Sequence, residues 1–210
     1  MSICITGGAG FVGSSLARRY RALYPERRIV AFDNLKRRGA EFNLADFKAL
    51  DIEFEHGDVR IAGDLEAVAG DFDLLIDASA EPSAHAGADG SPNYLIDTNL
   101  GGTLNCLAWA RKRGSALLFL STSRVYSLPA LRQLPLREEQ TRLSVDTTQT
   151  LPRGLSAAGI DETFDTSHHR SLYGATKLAS ELFVQEYCAT YGLKAIINRC
   201  GVIVGPGQWG

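Results

Sequence analysis

Ile3-Cys4-Ile5-Thr6-Gly7-Gly8-Ala9-Gly10-Phe11-Val12-Gly13 is the stretch that decides how the rest of the chain is read. A short apolar run suited to a buried strand passes into a cluster of glycines and then into a helix-length segment over residues 11 to 23. Gly7, Gly10 and Gly13 satisfy G-x-x-G-x-x-G, while Gly8, Gly10 and Gly13 satisfy G-x-G-x-x-G. A turn of this kind lets a ligand come close to the backbone. A pyrophosphate then rests on the free N–H groups and positive end of the following helix, at Gly7, Gly10, Phe11, Val12 and Gly13. With a strand before it and a helix after it, the motif predicts dinucleotide binding.

Outward from this turn, apolar runs bounded by Gly or Asp recur at residues 28 to 32, 52 to 56, 73 to 77, 116 to 121 and 195 to 199. Helix-length segments fall at 93 to 112 and 171 to 191, with weaker ones at 41 to 49 and 61 to 69. This alternation predicts an α/β fold with a doubly wound parallel sheet, a Rossmann fold occupying residues 1 to 210. Residues 127 to 170 break the pattern, being rich in Pro, Gly, Ser, Thr and Gln without sustained periodicity. They read either as a disordered insert or as an excursion over the active site, and their place between two chemically interesting blocks favours the second. The run Gly205-Pro206-Gly207-Gln208-Trp209-Gly210 follows directly on the sixth strand, an edge that needs further chain or a partner to cover it.

Of the 210 residues, 45% are hydrophobic and 22% charged, with a formal net charge of −2. Lys and Arg are scattered, so neither nucleic acid nor an anionic membrane is an expected partner. No secretory signal and no apolar run of 18 residues occurs, and a cytoplasmic protein is the expectation. Cys4, Cys106, Cys188 and Cys200 are widely spaced and form no C-x-x-C pair, so they read as reduced, mostly core cysteines, and no metal site is expected.

Asp33 closes the second strand, followed by Asn34, where a carboxylate accepts hydrogen bonds from adenosine ribose hydroxyls and repels a 2′-phosphate. NAD is therefore favoured over NADP, although Lys36, Arg37 and Arg38 offer charge that opposes the repulsion. Asp58, followed by Val59, reads as an acceptor for the adenine amino group, as a helix N-cap, or as both. Tyr173 and Lys177 lie four residues apart on one helix face, and Ser121-Thr122-Ser123 ends the fifth strand at the edge of the ligand crevice. Together they form a coherent hydride-transfer site. In this reading the Lys177 ammonium favours the tyrosinate of Tyr173, the general base, while Thr122 holds the reacting oxygen.

In its order of motifs the chain resembles the extended short-chain dehydrogenases/reductases, the NAD-dependent epimerase/dehydratase family. The resemblance rests on Gly7 to Gly13, Asp33-Asn34, Asp58, Ser79-Ala80, Thr98 to Thr103, Ser121 to Tyr126 and Tyr173 to Lys177. Within that family it is most similar to the CDP-paratose 2-epimerases, through Asp33 to Ala40 and the long insert. This likeness implies NAD as cofactor, a nucleotide-sugar substrate with a CDP-sugar favoured, and inversion through a keto intermediate. It also implies Thr122, Tyr173 and Lys177 as catalytic residues, Ala80 and Asn99 beside the nicotinamide, and Glu81, Ser123 and Arg199 towards the substrate, Glu81 being equally able simply to begin a loop. A substrate domain beyond residue 210 and a homo-oligomer built through the long helices follow from the same likeness. The dehydratase branch carries an Asp-Glu pair after the catalytic Thr, where this chain has Ser123-Arg124. Two other readings remain open: a dehydrogenase or reductase with net cofactor turnover, and a nucleotide-binding protein without catalysis.

Overall fold

The computed structural model describes residues 2–83 and 91–208, so Trp209 and Gly210 of the terminal run lie outside the described residues. Its centre is a six-stranded, wholly parallel sheet in the order β10-β5-β4-β1-β2-β3. The strands are β1 (Ile3–Thr6), β2 (Ile29–Asp33), β3 (Glu53–His56), β4 (Leu74–Asp77), β5 (Ala116–Thr122) and β10 (Ala195–Cys200). Each lies within about a residue of the run that the sequence pattern marks; β1, β2 and β4 are covered on both faces and almost wholly buried, whereas the edge strands β3 and β10 leave several residues exposed. Strand order reverses between β1 and β4, which opens a crevice at their carboxyl ends.

Side chains alternate across the sheet. Ile3, Ile5, Ile29, Ala31 and Ile76 face one helical layer, where Ala17 of α1 (Phe11–Leu23) and Phe47 of α2 (Asn43–Ala49) complete the core. Cys4, Val30, Phe32, Leu75, Leu117 and Phe119 face the other. There they meet α3 (Ala62–Ala67), the long segment of α4 (Asn93–Ile96) and α5 (Gly102–Arg113), and α7 (Leu172–Tyr191). Trp109 anchors this second layer: it is buried, donates its indole N–H to the Leu65 carbonyl at 2.7 Å and packs against Phe72 with centroids 5.6 Å apart. The helix predicted over 93 to 112 is interrupted by a π-type turn at Asp97–Gly101, which turns Thr98 and Asn99 inward. Gly114 and Gly192 end α5 and α7 in the left-handed conformation that favours glycine.

Residues 127–170 form an ordered excursion, not a disordered one. They hold α6 (Leu128–Arg132), a hairpin of β6 (Leu136–Glu138) with β7 (Leu143–Val145), and a smaller one of β8 (Leu155–Ser156) with β9 (Gly159–Ile160). Val125, Tyr126, Leu155 and Phe164 make a separate small core, with the Tyr126 and Phe164 rings edge to face at 5.6 Å. The excursion returns to its origin, since Ser127 N–H donates to Asp165 O at 3.0 Å and Leu128 N–H to His169 O at 3.0 Å.

Truncating Trp109 to Ala should cost about 3–5 kcal/mol of stability. Denaturant unfolding of the two proteins measures this, and a loss well under that range means the second layer does not depend on the indole.

Candidate active site

The glycine turn is built by its fit to two strands. Gly7 has φ of 64°, and a Cβ there would lie 2.7 Å from the Ala78 carbonyl oxygen. A Cβ on Gly13 would collide with the Gly7 carbonyl, so the helix approaches the turn only without one. Gly10 precedes α1 without a side-chain cap, and the first turn of the helix carries no acid. The N–H groups of Phe11, Val12 and Gly13 are thus left for a ligand anion.

Two adjoining cavities open here. The first, about 200 Å³, is lined by Asp33, Asn34, Val59, Glu81, Tyr94 and Thr98 among others. The second, about 350 Å³, is lined by Phe11, Val12, Gly13, Thr122, Ser123, Arg124, Tyr173 and Lys177 among others. Gly7, Gly10, Arg37 and Ala78 to Ala80 belong to both, so the two make one trough along the strand ends. That trough fits a dinucleotide: glycine backbone and a helix N-terminus stand at its middle, and the Asp33 carboxylate at one end. Thr98 lines the same end with a buried hydroxyl that has no hydrogen-bond partner among the described residues. It belongs to the quoted Thr98-Asn99 block, but a threonine inside a helix gives no sequence signal of this kind.

At the adenosine end, Asp33 accepts hydrogen bonds from Ala9 N–H at 3.1 Å and Leu35 N–H at 2.8 Å. Burial raises its carboxyl above the usual value, and these backbone donors pull it back. Asp58 is not a helix cap, since α3 starts at Ala62 with Ile61 before it. Its carboxylate is held by Arg60 at 2.6 Å and Asn34 at 2.9 Å, and the arginine keeps it well below the usual carboxylate range. Tyr94 stands between two cations, with Lys36 3.7 Å and Arg60 4.8 Å from its ring centroid.

At the other end, Thr122, Tyr173 and Lys177 converge on one cavity, with Ser123 at its wall. Ser171 caps α7 by accepting from Gly174 N–H at 3.1 Å, which fixes the first turn that carries Tyr173. Lys177 is buried, with its ammonium 4.0 Å from the Phe119 ring centroid. Burial lowers its pKa from the ordinary value, opposed chiefly by Asp77. Burial likewise raises Tyr173, while the hydrogen bond with Thr122 and the charge of Arg124 pull it down. Lys177 and Arg124 both line the cavity that holds Tyr173.

Two further expectations change. Asn99 does not line the trough. It is fully buried, accepting from Glu81 N–H at 2.7 Å and donating to Glu81 O at 3.2 Å and Thr176 Oγ1 at 3.3 Å. It thereby ties the strand-end loop at Ala80 and Glu81 to the helix of Tyr173. Arg199 does not reach towards a substrate either. Its Nε and Nη2 bind the Glu181 carboxylate at 3.0 and 2.7 Å, its Nη1 donates to Glu162 O at 3.1 Å, and Glu181 also accepts from Ser121 Oγ at 2.5 Å. Glu181 is 1% exposed, and a buried carboxylate requires such a partner. Glu81 accepts from Ser83 N–H at 3.1 Å and lines the same cavity as Asp33. Asp77, Arg37 and Cys200, which motif reading passes over or leaves as loop, stand under or along the trough. The insert meets the site through the Ser123–Val125 turn and through Arg199, and none of its described residues lines the trough. All four cysteines are free, Cys4 and Cys106 buried and the other two partly so.

Comparison with known proteins matches residues 3–209 to the NAD dependent epimerase/dehydratase family. The CDP-paratose 2-epimerase of Salmonella typhi is 32% identical over 215 aligned positions, covering 100% of this chain and 59% of that protein. A dTDP-glucose 4,6-dehydratase of Mycobacterium tuberculosis is 27% identical, covering 99% and 55%. Among solved structures, the dTDP-glucose 4,6-dehydratase of Streptomyces venezuelae with NAD and TYD bound superposes with a TM-score of 0.73 at 29% identity, covering 99% and 58%. The NAD complex of the Bacillus anthracis dTDP-glucose 4,6-dehydratase gives 0.72 at 25%, covering 100% and 57%. The chain therefore spans rather more than half the length of these relatives.

Glu181→Ala should cost about 3–5 kcal/mol by stranding the Arg199 guanidinium, and replacing both residues by apolar ones should restore most of it; denaturant unfolding reads both. Gly13→Ala should weaken NAD binding by roughly tenfold or more. Isothermal titration calorimetry measures this, and an unchanged affinity means that the dinucleotide does not use this turn.

Proposed function

This chain belongs to the NAD dependent epimerase/dehydratase family, and we propose that it is the cofactor-binding domain of a nucleotide-sugar epimerase acting most like a CDP-paratose 2-epimerase. The observation that carries the reading is the convergence of Thr122, Tyr173 and Lys177 on the cavity that continues the glycine turn. NAD, when bound, takes up a hydride from a sugar carbon and returns it. Gly7, Gly10 and the first turn of α1 would hold its pyrophosphate, Asp33 its adenosine ribose, and Lys177 would stand beside it in the same cavity. Tyr173 takes the proton of the sugar hydroxyl as the carbon is oxidised to a ketone and gives it back on reduction. Thr122 hydrogen-bonds the same oxygen and keeps it within reach of the phenol. Return of the hydride to the opposite face inverts the carbon and leaves the cofactor unchanged.

Epimerisation is favoured over dehydration by the cavity wall. Arg37, Arg124 and Lys177 line it, and no carboxylate does among the described residues. Elimination across a sugar ring needs an acid and a base beside the tyrosine, whereas hydride return needs only the tyrosine and the threonine. The proposal places the sugar and base contacts in a substrate domain following residue 210, with the 127–170 excursion at the rim. The CDP-sugar preference rests on the Salmonella typhi relative's name alone. Pairing of two copies through α5 and α7 is part of the same proposal, and Leu182 and Phe183 are exposed on the second of these helices. No described helix is long and apolar enough to cross a membrane.

The full protein, incubated with CDP-sugars and followed by NMR, should give an epimer inverted at one carbon without net NADH absorbance. Tyr173→Phe and Thr122→Val should each lower kcat by about 10²- to 10⁴-fold while NAD still binds. Stoichiometric NADH formation would instead identify a dehydrogenase, and absence of any epimer with nucleotide sugars in the NAD-loaded protein overturns the proposal.

A further inference from the structure

Asn43 is the first residue of α2 and stands outside the motifs read from the sequence, yet its side chain reaches back to the phosphate turn. Its amide Nδ2 donates to the Ala9 carbonyl at 2.9 Å. Ala9, in the middle of Gly8-Ala9-Gly10, is fully buried, and its N–H donates to Asp33 Oδ2 at 3.1 Å. Both backbone polar groups of Ala9 are therefore gripped, one by the carboxylate at the end of β2 and the other by α2. No other hydrogen bond to this carbonyl occurs among the described residues. Asn43 is oriented in its turn by Arg18 of α1, whose Nη2 donates to Asn43 Oδ1. The same guanidinium donates to Asp46 Oδ2 and to Ser14 Oγ, each at 3.2 Å. An amide whose oxygen is fixed on a cation must turn its N–H side the other way, towards Ala9. Ser14 N–H donates to Gly10 O at 2.9 Å, so Arg18 closes the frame on the first turn of α1.

We propose that Asn43 is a positioning residue of the cofactor site, held by Arg18 and acting through Ala9 on the phosphate turn and on Asp33. The inference rests on the reading above, in which the glycine turn takes the NAD pyrophosphate and Asp33 the adenosine ribose, and it names what keeps the two in register. Glycines on either side of Ala9 give the turn little stiffness of its own, so its orientation has to come from contacts outside it. Ala9 does not line the trough, whereas Gly7, Gly10, Phe11, Val12 and Gly13 do. Drawing the Ala9 carbonyl to α2 keeps its negative end off the anion and leaves the N–H groups that follow to face it. The same pull sets the Ala9 N–H that Asp33 accepts. Without the amide the buried carbonyl has no partner, and the adjoining Gly10 lets the peptide rotate in search of one, which disturbs the turn.

Isothermal titration calorimetry of the full protein with NAD and with ADP-ribose tests this without a sugar substrate. Asn43→Ala should weaken both ligands about five- to tenfold. Asn43→Asp keeps the shape of the side chain and its contact with Arg18 but offers Ala9 only acceptor oxygens, so it separates positioning from a merely structural tie between α1 and α2. It should weaken both ligands at least as much as Asn43→Ala, while its denaturant midpoint stays close to that of the wild type. The added charge cannot account for that loss if the ratio of wild-type to variant affinity persists at about 1 M salt, where charges are screened beyond roughly 3 Å. NAD affinity unchanged in either variant, or an Asn43→Asp loss that disappears at high salt, overturns the proposal. Wild-type protein that binds neither ligand overturns instead the cofactor reading on which it rests.

Discussion

A carboxylate with no solvent around it sets the geometry of this domain. Asp77, at the end of β4, is fully buried and accepts hydrogen bonds from Thr6 Oγ1 at 2.9 Å, Ser79 Oγ at 2.7 Å and Thr103 Oγ1 at 2.8 Å. A charge withdrawn from water is tolerable only when donors surround it, so the three hydroxyls are constrained as firmly as the charge. They belong to the end of β1, the loop after β4 and the first turn of α5. The glycine turn starts one residue beyond Thr6, the wall at Ala78 to Ala80 flanks Ser79, and the inward turn of Asn99 lies one helical turn before Thr103. The same carboxylate is the chief group opposing loss of the proton from buried Lys177. One buried carboxyl group thus ties together the strand ends that form the crevice and the helix beside it.

Charged residues in the domain fall into two kinds. Closed pairs make the first: Glu181 with Arg199 joins α7 to β10, while Asp58, paired locally with Arg60, is tied to the end of β2 by the Asn34 amide. Their value lies in fixing β10 to α7 and β3's end to the adenosine wall, because breaking a buried pair strands the remaining charge. Arg37 and Arg124 are of the other kind, facing the trough. A crevice whose wall offers cations, hydroxyls and an uncapped helix end, with the carboxylates Asp33 and Glu81 confined to one end, suits ligands that carry phosphate. That is the electrostatic background on which NAD and a nucleotide sugar are both acceptable.

The sequence by itself determined the strands, the long helices and the phosphate turn. All three are written in short-range terms: continuous apolar runs for strands covered on both faces, and glycines where a Cβ meets backbone. It also placed Thr122, Tyr173 and Lys177 near one another, since the carboxyl end of a parallel strand and the first turn of the helix before the next strand must open on the same crevice. The residues 127–170 were illegible by the same logic, because hairpins of two and three residues held by Tyr126 and Phe164 carry no periodicity to read.

Only the tertiary structure decided what the polar side chains do. Asn99 and Arg199 look like ligand contacts in a linear motif, yet one bridges Glu81 to Thr176 and the other is closed by Glu181, partners 18 or more residues away. Asp77 looks like the polar end of an apolar run until Thr6 and Thr103 are seen to meet it. The physical reason is that an apolar side chain needs only to be inside, which a pattern can say. A buried polar group needs a particular donor or acceptor within about 3 Å, which only the folded arrangement supplies.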